Sequence, residues 1–250
     1  MKHDERMNLA EFISTRMIAK YSSDIVLSGI SGSTARGTDT PWSDLELLFV
    51  VRGGSKVEAR HFLFRGTAVG RVAIEQGALE KQITSPDSGW EYWMGVLSYL
   101  KVLHGDPEQV QAWLRMGQSV PAKRFRESLE ASLSWLVHEP YGRILSCSER
   151  RNTQDVSSAV MELLSDIKLA LCLFNQRWIT HKTYRGIVDT FSFPKLPEGY
   201  REIVPVLWSA RNLDEIVPLA ETLVRNFWQF LANEGVRSPV DYQRVDDIPL

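Results

Sequence analysis

The chain has 250 residues, 44% hydrophobic and 24% charged, the balance of a folded protein with core enough for one large domain or two small ones. Its net charge of −2 gives no general attraction to nucleic acid, whose binders carry a basic excess, and so counts against a polynucleotide partner. No stretch approaches the roughly 18 uninterrupted apolar residues of a membrane span, and the charged start Met1-Lys2-His3-Asp4-Glu5-Arg6 lacks the apolar segment of a signal peptide.

In chain order, a short amphipathic helix comes first, with Leu9, Phe12, Ile13 and Met17 on one face. Strand-like apolar runs follow at 25–30, 44–51, 60–65 and 68–75, and Gly53-Gly54-Ser55 is a loop between two of them. The stretch 90–100 reads as helix. Asp106-Pro107-Glu108-Gln109 is a helix start, with Asp at the N-cap, Pro at N1 and Gln at N3. Near residue 120 the texture changes. Helical patterns then occupy 121–138, 155–178 and 213–234, the last ended by Gly235. The fold class predicted is α+β, with an N-terminal α/β domain over 1–120 and a C-terminal helical domain over 121–250. Cys147 and Cys172 show neither paired nor metal-ligand spacing, as expected of buried filler in a reducing cytoplasm.

The most informative segment joins the first two strand runs. Gly32-Ser33 follows the run ending at Ile30, and Asp44-Leu45-Glu46 opens the next. In a strand, side chains alternate between faces, so Asp44 and Glu46 point one way while Leu45 and Leu47 enter the core. Two carboxylates one strand repeat apart can converge on Mg²⁺, which takes hard oxygen ligands together with phosphates and water. In the loop before them, Gly32 lets the backbone approach a phosphate, Ser33 offers a hydroxyl and an N–H, and Arg36 adds a charge-assisted donor. Pro41-Trp42-Ser43 turns the chain into the carboxylate strand. The bland alternatives are a simple turn and a solvated strand edge, but the combination at this spacing points to nucleotidyl transfer. Glu75, at the end of the strand-like run 68–75, is the candidate third carboxylate.

The segment Gly32-Ser33-Thr34-Ala35-Arg36-Gly37-Thr38-Asp39-Thr40-Pro41-Trp42-Ser43-Asp44-Leu45-Glu46 resembles the signature of the polymerase-β-type nucleotidyltransferases. More narrowly, it is similar to that of the kanamycin (aminoglycoside 4′-hydroxyl) nucleotidyltransferases. Leu196-Pro197-Glu198-Gly199-Tyr200, the Asn226-Phe227-Trp228 helix and the tail Val240-Asp241…Ile248-Pro249-Leu250 resemble further segments of that family. The resemblance implies a nucleotidyltransferase domain with a mixed sheet, followed by a helical bundle. It implies that Asp44, Glu46 and Glu75 hold Mg²⁺ and that Ser33, Arg36 and Ser43 contact the nucleotide, with ATP as co-substrate. It also implies an aminoglycoside acceptor, a homodimer and antibiotic resistance.

Adenylyl transfer needs a group to accept the proton of the attacking hydroxyl. The family pattern Glu-x-x-Gly-Lys is matched by Glu139-Pro140-Tyr141-Gly142-Arg143, which implies Glu139 as the base and Arg143 as the phosphate cation. Pro140 disfavours helix at Glu139, which counts against a helical Glu139–Arg143 spacing. Glu149 is the alternative base, and Arg150 with Arg151 reads as a solvated charge cluster. Glu58, Glu80, Asp87 and Glu91, with Trp90, Tyr92 and Trp93, lie where a wall for an amino sugar could form. The five histidines show no metal spacing, and there is no GxxxxGK[ST] loop or GxSxG elbow. Two alternatives stay open. One is a nucleotidyltransferase acting on another small molecule or a protein. The other is a non-catalytic, antitoxin-like module. The exposed-looking aromatics Trp208, Trp228 and Phe230 permit a dimer.

Overall fold

A computed structural model describes residues 1–87 and 89–248, with Asp247 described by its backbone alone. Pro249 and Leu250 of the family-like tail lie outside the described residues. The chain resolves into two compact units, Met1–Val120 and Pro121–Leu250. The class is α+β, with the strands in the first unit and helices throughout the second.

In the first unit, α1 (His3–Tyr21) leads to β1 (Ile25–Ser31), the short α2 (Gly32–Arg36) and β2 (Leu45–Val51). β3 (Arg60–Phe64) and β4 (Thr67–Glu75) follow, then α3 (Gln76–Thr84), α4 (Trp90–Ser98), β5 (Lys101–His104) and α5 (Pro107–Gln118). The sheet order is β3-β4-β2-β1-β5, and β2–β4 pairs in parallel while the other neighbours are antiparallel, so the sheet is mixed. β3 and β4 are joined by a two-residue turn in which Arg65 (φ 48°) and Gly66 (φ 75°) both take left-handed backbone, the pattern of a tight hairpin.

Alternation on β2 is clear. Leu45, Leu47, Phe49 and Val51 are buried and join Ala10, Met17, Ile30 and Val69 in one core cluster beneath α1. Each such side chain contributes about 1.5–3 kcal/mol of burial. Leu48 and Val50, of opposite parity, are buried as well, and α3 packs on β2 and β4, so the sheet is covered on both faces there. That cover ends before the start of β2, where Glu46 is half-buried and Asp44 exposed.

Of the predicted face of α1, Met17 is buried and Leu9 and Ile13 pack against the core, but Phe12 does not. The buried residues of the helix are Arg6, Ala10, Ser14 and Met17, while Phe12 is 61% exposed and stacks under Arg16. The buried stripe is partly polar because each polar group has a partner: Ser14 Oγ and Ser28 Oγ lie 2.6 Å apart, and Arg6 is bonded as described below. At α5 the Asp106 carboxylate accepts a hydrogen bond from the Glu108 N–H at 2.9 Å, the cap read from the sequence.

The second unit runs α6 (Ala122–Ser132), α7 (His138–Glu149), α8 (Val156–Asn175), α9 (Thr183–Asp189), α10 (Tyr200–Ser209) and α11 (Leu213–Asn233). α8 buries ten of its side chains, from Val156 to Leu173, and touches α6, α7, α9, α10 and α11. The predicted helix 121–138 breaks after Ser132 and restarts at His138. The break is marked by Val137, a buried β-branched residue held at φ 69°. The family-like stretch Leu196–Tyr200 has a structural explanation. Gly199 takes φ 67° before α10, Tyr200 Oη lies 3.0 Å from Thr190 Oγ1, and Asn226 donates to the Glu198 carbonyl at 2.9 Å. Trp208, Trp228 and Phe230 are half-buried and pack against Tyr184, His138 and Phe174 of the same unit. No helix among the described residues is long and apolar enough to cross a membrane.

Candidate active site

At the uncovered start of β2 lies a cleft of about 360 Å³, lined among others by Asp44, Glu46, His61, Gly70, Tyr92 and Trp93. β1 delivers the chain to it. Ser31 pairs with Glu46 across the β1–β2 ladder, and Gly32 then turns away with φ 67°. The Glu46 carboxylate lies against Gly32 so closely that a Cβ there would overlap it. This contact requires glycine twice, once for the backbone and once for the space. Gly32→Ala is therefore expected to add about 1–3 kcal/mol of local strain. By displacing the Glu46 carboxylate it should also lower kcat/KM about 10²-fold. Steady-state kinetics beside a melting curve checks this, and near-wild-type turnover would show that the Glu46 position does not matter.

The loop from Gly37 to Ser43 is held from behind by α1. Arg6, fully buried, donates to Asp39 Oδ2 at 2.7 Å, to the Thr40 carbonyl at 2.7 Å and to the Ser43 carbonyl at 2.9 Å. His3 Nδ1 lies 2.6 Å from the other Asp39 oxygen. Burial works to raise the Asp39 carboxyl, but the hydrogen bonds from His3 and Arg6 outweigh it and hold the group below its ordinary range. The residues that open the carboxylate strand are thus fixed by a buried ion pair that sequence reasoning missed. The available signal was Arg6, which helical spacing puts on the same face as Ala10 and Met17.

The structure brings Asp44 and Glu46 into one cleft. Ser33 sits in α2, where its carbonyl accepts from Thr38, and Arg36 lies over the Tyr99 ring, 4.5 Å from its centroid. Ser43 Oγ accepts from the Thr40 N–H at 2.9 Å, so its hydroxyl oxygen already shapes the turn before Asp44.

Glu75 is not brought to the pair. β2 and β4 run parallel, with Glu46 opposite Gly70 and Val51 opposite Glu75. Five residues of strand, about 16 Å, separate Gly70 from Glu75. Antiparallel pairing would have carried the end of β4 to the start of β2; parallel pairing carries it to the far end. There Glu75 accepts a hydrogen bond from the Gly54 N–H at 2.9 Å. Of the predicted wall, the acids Glu58, Glu80, Asp87 and Glu91 are not among the residues lining the cleft. Trp90 and Glu91 are buried, and Glu80 accepts from Gln76 and from the Trp113 indole, leaving Tyr92 and Trp93 at the cleft.

In the second unit, Glu139 and Arg143 do share a helical face. α7 begins at His138, so Pro140 falls in the first turn, where its missing N–H costs no hydrogen bond. Arg143 bonds both Glu139 and Glu162 of α8, and the paired carboxylates hold its guanidinium even more firmly protonated than usual. Glu149 ends the same helix, ten residues and about 15 Å further on.

The donors at the cleft fit a divalent cation. Asp44 and Glu46 offer hard oxygen atoms on one face, beside open solvent where water or phosphate oxygens could complete a shell.

No known protein-family model matches the chain. Two curated relatives are 23% identical to it over 230 residues, spanning 91% of this chain and 89% of each relative. They are an aminoglycoside nucleotidyltransferase (4′) from Bacillus sp. and one from Staphylococcus aureus. The similarity supports a nucleotidyltransferase enzyme. A solved structure of a nucleotidyltransferase-like protein from Exiguobacterium sibiricum 255-15 aligns at 13% identity and a TM-score of 0.49, over 91% of this chain and 75% of that one. That overlap is too low to bear on the fold.

Proposed function

We propose that this protein transfers AMP from ATP to a hydroxyl of an aminoglycoside, the 4′ hydroxyl, with release of pyrophosphate. One observation carries the proposal above the others. Asp44 and Glu46 share a cleft between the start of β2 and α4, in which the Glu46 carboxylate rests on Gly32. The similarity to two aminoglycoside nucleotidyltransferases over nine-tenths of the chain supports the acceptor.

Asp44 and Glu46 would hold Mg²⁺, which when bound supplies charge neutralisation at the phosphates. Ser33, Arg36 and Ser43 contact the nucleotide in this proposal. The acceptor oxygen bonds to the α-phosphorus as the bond from that phosphorus to the pyrophosphate oxygen breaks, and the hydroxyl proton passes to the Glu139 carboxylate. Arg143, with donors on Glu139 and Glu162, steadies that carboxylate and carries the positive charge that the family places at this position. The protein would act in the cytoplasm as a homodimer, without nucleic acid, and would confer aminoglycoside resistance.

The test is purified protein with ATP, Mg²⁺ and kanamycin or tobramycin, following pyrophosphate. Release that depends on the aminoglycoside is expected. Release without it would point to a different acceptor, and no release with any aminoglycoside would sink the proposal.

A further inference from the structure

In the helical unit, α7 begins at His138, directly after Val137, and packs on α8. Local sequence does not choose this start. Val137 is β-branched and buried, yet its φ is 69°, a region such residues rarely enter. Pro140 disfavours helical backbone at Glu139, the residue before it, and Glu139 is helical all the same. Backbone strained in this way persists only where the surrounding structure imposes it. α8 supplies that constraint. The Asp166 carboxylate accepts a hydrogen bond from the Val137 N–H. The Val137 carbonyl accepts the first helical bond of α7, from the Tyr141 N–H at 3.1 Å. One turn earlier on α8, Glu162 bonds Arg143, which also bonds Glu139. Glu162 and Asp166 are four residues apart and so share one face of α8. Asp166 holds the backbone before Glu139, and Glu162 holds the Glu139 side chain through Arg143.

We propose that Asp166 is a positioning residue for nucleotidyl transfer: by accepting from Val137 it fixes the first turn of α7, and with it the place from which Glu139 takes the proton of the acceptor hydroxyl. This rests on the reading of Glu139 as the base. A base acts only within hydrogen-bond reach of its proton, and a displacement of about 1 Å can cost 10²-fold. Glu139 is exposed and lies two residues beyond Val137, so a change of backbone there moves the whole residue and not its side chain alone. Asp166 itself is half-buried. Burial raises its carboxyl above the ordinary value, and the negative charges of Glu162 and Glu139 add to this, while the Val137 N–H opposes it. Burial and two like charges thus disfavour a carboxylate at this position. What it provides is an acceptor for an N–H that the break before α7 leaves without an intrahelical partner.

The test measures kcat and KM for kanamycin-dependent pyrophosphate release from ATP and Mg²⁺, in Asp166 variants of the full chain with and without Glu139→Gln. Glu139→Gln alone should lower kcat about 10²-fold. Asp166→Ala, which suits a helix interior, should lower kcat about tenfold with both KM values within about twofold of the wild type. Asp166→Asn, whose amide oxygen still accepts from Val137, should keep kcat within about twofold of the wild type. In the Glu139→Gln background, Asp166→Ala should cost less than about twofold further, since an absent base cannot be misplaced. An equal loss in both backgrounds would mean a merely structural role and overturn the proposal. So would a wild-type kcat in Asp166→Ala, or an Asp166→Asn rate no better than that of Asp166→Ala. Should Asp166→Ala melt below the assay temperature, Asp166→Glu, which keeps the charge and shifts the acceptor by one methylene, is read in the same two backgrounds against the same outcomes. Wild-type kcat in Glu139→Gln would remove the base assignment, and this inference with it, while leaving the metal-dependent transfer in place.

Discussion

Replacing Asp44 with asparagine is expected to lower the rate of nucleotidyl transfer by about 10³-fold while leaving the fold intact. Asparagine keeps the size and one oxygen of the aspartate but removes its charge. Charge is what a divalent cation and its bound phosphates require, and metal-centred charge stabilisation is worth several kcal/mol. Stability should hold because Asp44 is exposed at the mouth of the cleft, where substitutions typically change folding by about 0.5 kcal/mol or less. Initial rates measured beside a thermal melt separate the two effects. A variant that keeps near-wild-type turnover would sink the metal assignment, and one that melts early would make the rate uninterpretable. Glu46→Gln serves as the partner test, since that carboxylate is half-buried and fixed against Gly32.

The largest effect on stability is expected at Arg6. Arg6→Ala leaves Asp39 buried with His3 as its remaining side-chain partner and strips the Thr40 and Ser43 carbonyls of a donor. Breaking a buried pair in this way costs about 3–5 kcal/mol. Urea unfolding of the variant should show a lower midpoint with an unchanged slope. The pair also sets an acid limit. Asp39 is held below the ordinary carboxylate value of about 3.9, so its contribution is fully present above that pH. It is lost as pH falls through the depressed value, where the folded carboxyl takes up its proton. Asp39→Asn should therefore flatten the acid limb of the stability curve. An acid limb unchanged in that variant would place the titrating group elsewhere.

The strands of the first unit were legible because their apolar runs are short, β-branched and bounded by glycine or charge. β2 carried its own orientation, since Leu45 and Leu47 alternate with Glu46. What sequence could not supply was register between strands. Glu75 and Gly70 lie on one strand run, and only the parallel pairing of β4 with β2 decides which of them meets Glu46. His61 was invisible for the same reason, because its neighbour in space is nine positions away across a turn. The face of α1 was legible in Leu9, Ile13 and Met17 but not in Arg6 and Ser14, because apolar spacing takes no account of buried polar groups that find partners. β5 was overlooked because four residues between two helices leave too little pattern. The break at Val137 had no signal, as its strained backbone is imposed by packing rather than chosen by residue type.

The turn at Arg65-Gly66 carries more than a change of direction. Strand side chains alternate with a period of two, so a hairpin's loop length decides which face every residue beyond it occupies. Two residues in that turn put His61 over Gly70; one more or one fewer would swing the imidazole to the opposite side of the sheet. The imidazole's place at the cleft is thus governed by a loop several residues from it, at the surface, where insertions are otherwise tolerated. A chain carrying a single added residue between Phe64 and Thr67 keeps its core and its carboxylates and still loses the imidazole from its cleft.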